Sequence, residues 1–148
     1  MNIKTIAIGS DHAGFDLKET LKAYLATKGI TVKDFGPASD ARADYPDYAH
    51  PVASFVEEDK TNQTFGILIC GSGNGINMTA NKHQEIRSAL CWMPEIAELA
   101  RLHNNANILV LPARYISIDE AKKCVDVFFS TEFEGGRHTD RVNKIACV

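Results

Sequence analysis

Five short apolar runs, each separated from the next by a stretch of helical spacing or a glycine loop, restrict this chain to few folds. "KTIAIGS", "ITVKDFG", "TFGILIC", "IRSALCW" and "ANILVLP" read as strands. Between and after them lie helical stretches. Leu17, Leu21, Tyr24 and Leu25 share one face of "GFDLKETLKAYLATKG", with Gly29 as its stop. Tyr48, Val52, Phe55 and Val56 share a second face, although Pro51 obscures where that helix begins. "INMTANKH" is a short helix. "PEIAELARLHN" opens on Pro94 and turns Ile96, Leu99 and Ala100 inward. "SIDEAKKCVDVFFST" turns Ile118, Ala121, Val125, Phe128 and Phe129 inward. A polar tail, residues 132–148, closes the chain. Repeated strand–helix units predict an α/β fold: a Rossmann-like three-layer sandwich of a five-stranded parallel sheet with helices on both faces. "TFGILIC", apolar almost throughout, suits a strand covered on both sides.

The 148 residues suit a single domain, 1–148, with no repeat or linker. Net charge is −3, which excludes a general nucleic-acid or membrane-surface binder, so any anion site must be local. No run approaches the roughly 20 apolar residues of a membrane span, and the N-terminus does not read as a signal peptide. Four cysteines without a C-x-x-C pair argue against zinc and against a disulfide framework. A cytoplasmic protein with reduced thiols is the expectation.

In parallel sheets of this kind ligands bind beyond the carboxyl ends of the strands. That rule brings together "GSDHAG", "CGSGNG" and "PARY". The glycine loop is not a P-loop, because no G-K-[ST] follows, and Ile76 breaks the dinucleotide fingerprint. Gly71, Gly73 and Gly75 can aim backbone N–H groups at an anion or a developing oxyanion, or can make a tight turn and nothing more. Cys70 is either a core cysteine or a thiol whose thiolate the helix start favours. Asp11 is either a helix cap or, with His12, part of a site. His103 lies on an apolar helix face, where a satisfied core histidine is the ordinary reading, but "HNNAN" can expose it and Asn104 to a cleft. Arg137 and Arg141 share a face if the tail is helical, and with Arg114 they could grip a phosphate or be solvated charge.

The segments "IAIGSDHAGFDLK", "DYPDYA", "GILICGSGNGINMTANK", "IRSAL", "HNNANILVLPAR" and "FEGGRH" occur in that order across nearly the whole chain. Together they resemble type B ribose-5-phosphate isomerases, of the family that includes galactose-6-phosphate and allose-6-phosphate isomerases. The resemblance implies cofactor-free and metal-free aldose–ketose isomerisation of a sugar phosphate in the non-oxidative pentose phosphate pathway. It implies a homodimer with shared sites, in which residues 132–148 pack on the partner. In its terms Cys70 moves the proton between C1 and C2, Ser72 is the loop hydroxyl, and His103, with Asp11, opens the sugar ring. Substrate contacts fall to His12, Tyr45, Gly71, Gly73, Asn74, Gly75, Asn104, Arg114, Arg137 and Arg141. Ser72 stands where threonine is usual, and Asn74 where a small apolar residue is common. The G-G-R-H arginines, which the galactose-6-phosphate isomerase subunits lack, favour the pentose substrate over six-carbon sugar phosphates. A sugar-phosphate sensor without turnover is the competing reading from another class.

Overall fold

A computed structural model describes all of residues 1–148. The strands are β1 (Thr5–Ser10), β2 (Thr31–Asp34), β3 (Thr64–Cys70), β4 (Ser88–Leu90) and β5 (Ile108–Pro112). The helices are α1 (Phe15–Thr27), α2 (Pro46–Glu58), α3 (Asn74–Ala80), α4 (Pro94–Asn104), α5 (Ile118–Phe128) and α6 (Arg137–Asn143). All strand pairings are parallel, in the order β2-β1-β3-β5-β4. The sequence expectation of a five-stranded parallel sheet covered on both faces therefore holds.

Alternation along the strands divides the interior in two. Ile6, Ile8, Ile67, Ile69, Leu109 and Leu111 face α1, α4 and α5, whereas Ala7, Leu68, Cys70, Ile108 and Val110 face α2 and α3. The chain leaves β1 for β2 on one side and later returns to place β3 on the other. This reversal opens a crevice at the tips of β1 and β3.

Some side chains depart from the periodicity. Leu99 is 41 % exposed and Ile118 51 % exposed. α4 instead turns Ala97, Ala100 and Arg101 inward, small residues that let the helix lie close to α5. Ile118 belongs to the first turn of α5, beyond the tip of β5; Phe129, though half-buried, packs against the core beside Phe65 and Phe128, and Cys124 is buried in addition. Tyr48 and Phe55 are likewise half-buried, behind Ala49, Val52, Ala53 and Val56. Pro51 does not end α2, which starts at Pro46 and runs through it. The tail is not wholly irregular, because α6 folds within it.

Two buried cations hold the layers in place. Lys18 is fully buried, and its Nζ donates to both Asp34 carboxylate oxygens at 2.9 Å and to Glu19 at 3.0 Å, tying α1 to β2. Burial of Asp34 opposes its charge, but hydrogen bonds from Lys18 and Lys22 outweigh it and hold the carboxyl below its usual range. Arg101 is buried against Phe65 and Phe128 and donates to the carbonyls of Thr131 and Ala106 and to Asn105 Oδ1. It fixes the left-handed Asn105 that ends α4. Removing one member of a buried ion pair costs about 3–5 kcal/mol. Lys18→Ala is expected near the low end, about 3 kcal/mol, because Asp34 keeps Lys22 as a partner; urea denaturation measures it.

Candidate active site

The first group of site residues surrounds the tips of β1 and β3. Asp11 N–H donates to the Ile69 carbonyl, and Asp11 Oδ1 accepts from Gly14 N–H at 3.0 Å. Asp11 thus closes the turn that leads into α1 rather than capping the helix itself, whose N-cap is Gly14, and its other carboxylate oxygen makes no hydrogen bond. His12 is exposed, with Nδ1 against the backbone of Ala43, so Nε2 is the free ring nitrogen. Arg114 N–H donates to the Gly71 carbonyl, and its guanidinium extends over Gly71.

The glycine loop is shaped by contact as well as by torsion. Gly73 has φ +81°, and a Cβ there would lie 2.4 Å from Leu90 Cδ1. A Cβ on Gly75 would lie 2.4 Å from the Tyr45 ring, which therefore sits directly on the loop backbone. Ser72 Oγ accepts hydrogen bonds from the Asn74 backbone at 3.3 Å and from the Asn74 side-chain amide at 3.2 Å.

Cys70 ends β3 on the α2/α3 side and is 5 % exposed. Burial pushes its thiol up, and the Asp11 carboxylate adds to this; the backbone N–H groups of Ile76, Gly73 and Gly75 work in the opposite direction. The net shift is upward: of the two opposed effects that the sequence leaves open, the helix start and burial, burial prevails. The physical reason is that the strand end is drier than the loop is polar. Cys91 and Cys124, pushed by burial to about 12 and about 11, have no such donors and are packing residues. Cys70 is the buried cysteine with amide groups aimed at it.

The second group lies at the other edge of the sheet. Cys70 pairs with Pro112 and Gly66 with Ile108, so the start of β5 is four residue steps, about 13 Å, from the Cys70 level. His103 and Asn104 end α4 below that start. α6 docks beside them, with the rings of His103 and His138 stacked at 4.2 Å and 16°. Arg137 and Arg141 lie in α6 at the four-residue spacing that places them on one face. Neither they nor Arg114 enter any ion pair. One copy of the chain therefore brings together Cys70, Ser72, Gly71, Gly73, Asn74, Gly75, Asp11, His12, Tyr45 and Arg114. It separates them from His103, Asn104, Arg137 and Arg141.

The sequence reading missed Lys18, Arg101, Glu134 and His138. His138 had a visible signal, since it follows Arg137 directly; Lys18 and Arg101 had none, because a deciding partner of each, Asp34 and Thr131, comes from another segment.

Comparison with known proteins decides the family. The family model described as Ribose/Galactose Isomerase matches residues 6–145. The chain belongs to the ribose/galactose isomerase family. It is an isomerase, similar to type B ribose-5-phosphate isomerases. It is 42 % identical to ribose-5-phosphate isomerase B of Escherichia coli over 146 residues, 99 % of this chain and 97 % of that protein. It superposes on a ribose 5-phosphate isomerase of Thermotoga maritima with a TM-score of 0.93 and 52 % identity, covering 98 % of this chain and 99 % of that one. It also superposes on ribose-5-phosphate isomerase B of Mycoplasma genitalium, solved with bound ribulose-5-phosphate: TM-score 0.91, 45 % identity, 95 % of this chain and 93 % of that one.

The raised thiol makes a direct prediction. Alkylation of Cys70 by iodoacetamide, followed by peptide mass mapping, should rise with pH about a midpoint above the roughly 8.5 of a free cysteine. A midpoint below that value would mean that the loop amides outweigh burial.

Proposed function

We propose that the chain interconverts ribose 5-phosphate and ribulose 5-phosphate, with Cys70 moving the proton between C2 and C1 through an enediolate. The observation that carries this is a buried thiol at a strand tip with three backbone N–H groups around it, in a chain similar to a protein solved with ribulose-5-phosphate bound. Place in the non-oxidative pentose phosphate pathway follows from that substrate pair.

In this reading the phosphate docks on His12, Arg114, Arg137 and Arg141, which fixes the reacting carbons. His103, with Asp11, opens the furanose. Cys70, a thiol in the free protein, releases its proton to solvent as the substrate settles, and the thiolate then takes the proton from C2. Negative charge forms on the C1 oxygen, where amides of residues 71–75 and the Ser72 hydroxyl face it. Returning the proton to C1 gives the ketose. Tyr45 and Asn104 contact the sugar. Every step is proton transfer, which these side chains supply without a metal or redox group.

The distance between the two groups of residues supports a homodimer in which each site takes Cys70 from one copy and His103, Asn104, Arg137 and Arg141 from the other. In that arrangement residues 132–148 pack on the partner. Trp92, Met93 and Leu99, apolar residues 52 %, 37 % and 41 % exposed, supply surface for such an interface. No helix is long and apolar enough to cross a membrane, in keeping with a cytoplasmic enzyme.

Two experiments test this. Cys70→Ala should lower kcat on ribose 5-phosphate, with chelator present, at least about 10²-fold while KM stays near wild type; near-normal turnover removes Cys70 from the mechanism. Mixing inactive Cys70→Ala and His103→Ala proteins under subunit exchange should restore about a quarter of wild-type activity, because each mixed dimer regains one intact site. No recovery would place both residues in a site within one copy.

A further inference from the structure

We propose that His138 is a positioning residue for His103 in the ring-opening step. The proposal rests on the reading of His103 given above and adds to it the group that holds its imidazole.

His103 is the second-last residue of α4, and its side chain is 36 % exposed. Its nearest acidic neighbour, Glu134 Oε2, lies 3.8 Å from Nε2, too far for a hydrogen bond. What fixes the ring is a flat contact: the His138 imidazole lies 4.2 Å away and 16° from parallel. His138 is built as a fixed surface. It is 5 % exposed, carried by α6, and its Nε2 is buried without a hydrogen-bond partner. Such an orphaned polar atom costs stability and calls for an explanation. Burial, then His103 and Arg137, hold its pKa below the usual histidine value. The segment is anchored where it meets α4, since Glu134 N–H donates to the Leu102 carbonyl.

A metal site is the obvious alternative, because ligand atoms of His103, Glu134 and His138 lie within 4.8 Å of one another. The ring planes argue against it. An imidazole lone pair lies in the ring plane, and two nearly parallel rings point their lone pairs side by side rather than at a common cation.

The substrate pair makes the role separable from proton transfer at carbon. Ribose 5-phosphate is a furanose. Opening it moves the O1 proton to a base, breaks the C1–O4 bond and returns a proton to O4. Ribulose 5-phosphate has O5 esterified and forms no furanose. Exchange of its C1 hydrogen with solvent therefore needs Cys70 but no ring opening.

The test uses His138→Leu, which fills the volume without a flat face, and His138→Phe, which keeps the face. For each, kcat on ribose 5-phosphate is set beside the rate of deuterium entry at C1 of ribulose 5-phosphate in D₂O. His138→Leu should lose at least about 10-fold in kcat, while C1 exchange stays within about 2-fold of wild type, and His138→Phe should recover most of the loss. Equal loss in both assays, no loss in either, or Phe no better than Leu would overturn the assignment. Cys70→Ala, run in parallel, should abolish both signals. If exchange survived in it, the proposed role of Cys70 would fail, whereas the His138 comparison would still read out.

Discussion

A parallel sheet fixes the direction of every crossover helix: it leaves from the tip of one strand and returns to the start of the next. In this chain that rule separates the chemistry. Cys70, Asp11 and Arg114 follow strand tips, where amides are free and the crevice opens. His103 and Asn104 end α4 and so belong to the opposite edge. No side chain is long enough to cancel the difference. The topology therefore supports the proposed homodimer with shared sites, and the apolar residues left uncovered on and before α4 offer surface for it.

The strand-tip group shows two opposed forces on one sulfur. The alternation of β3 turns Cys70 toward the α2/α3 interior, which keeps it dry and protonated. The turn at Gly73 and the close seat of Tyr45 on Gly75 bend the following backbone so that its amides point back at the same sulfur. Dryness wins in the free protein. In the proposed mechanism the reactive thiolate therefore depends on what a bound sugar phosphate adds.

Much of this was legible in the sequence because it rests on local pattern. The period-2 runs and the 3.6-residue stretches gave all five strands and the parallel sheet, and the glycine loop after an apolar run located the crevice. The six ordered segments supplied the candidate site residues. What failed was non-local. Leu99 and Ile118 sit at helical spacing, but Ala97 and Ala100 pack more closely and Arg101 takes an inward position, held by the nearby Ala106 carbonyl and by the Thr131 carbonyl thirty residues away. Lys18 reads as a surface lysine until Asp34 is known to lie beside it. The state of the Cys70 thiol stayed open in the sequence because periodicity reports which face a residue occupies, not how dry that face is. The stack of His138 on His103 joins two helices whose docking no single stretch encodes.

The most direct test is a crystal structure of the protein with ribulose 5-phosphate bound. The account predicts a dimer in which Cys70 Sγ of one copy lies about 3–3.5 Å from C1 or C2, while His103 and Arg137 of the other copy face the same ligand. A sulfur turned into the α2/α3 interior, with the ligand held wholly by one copy, would contradict it.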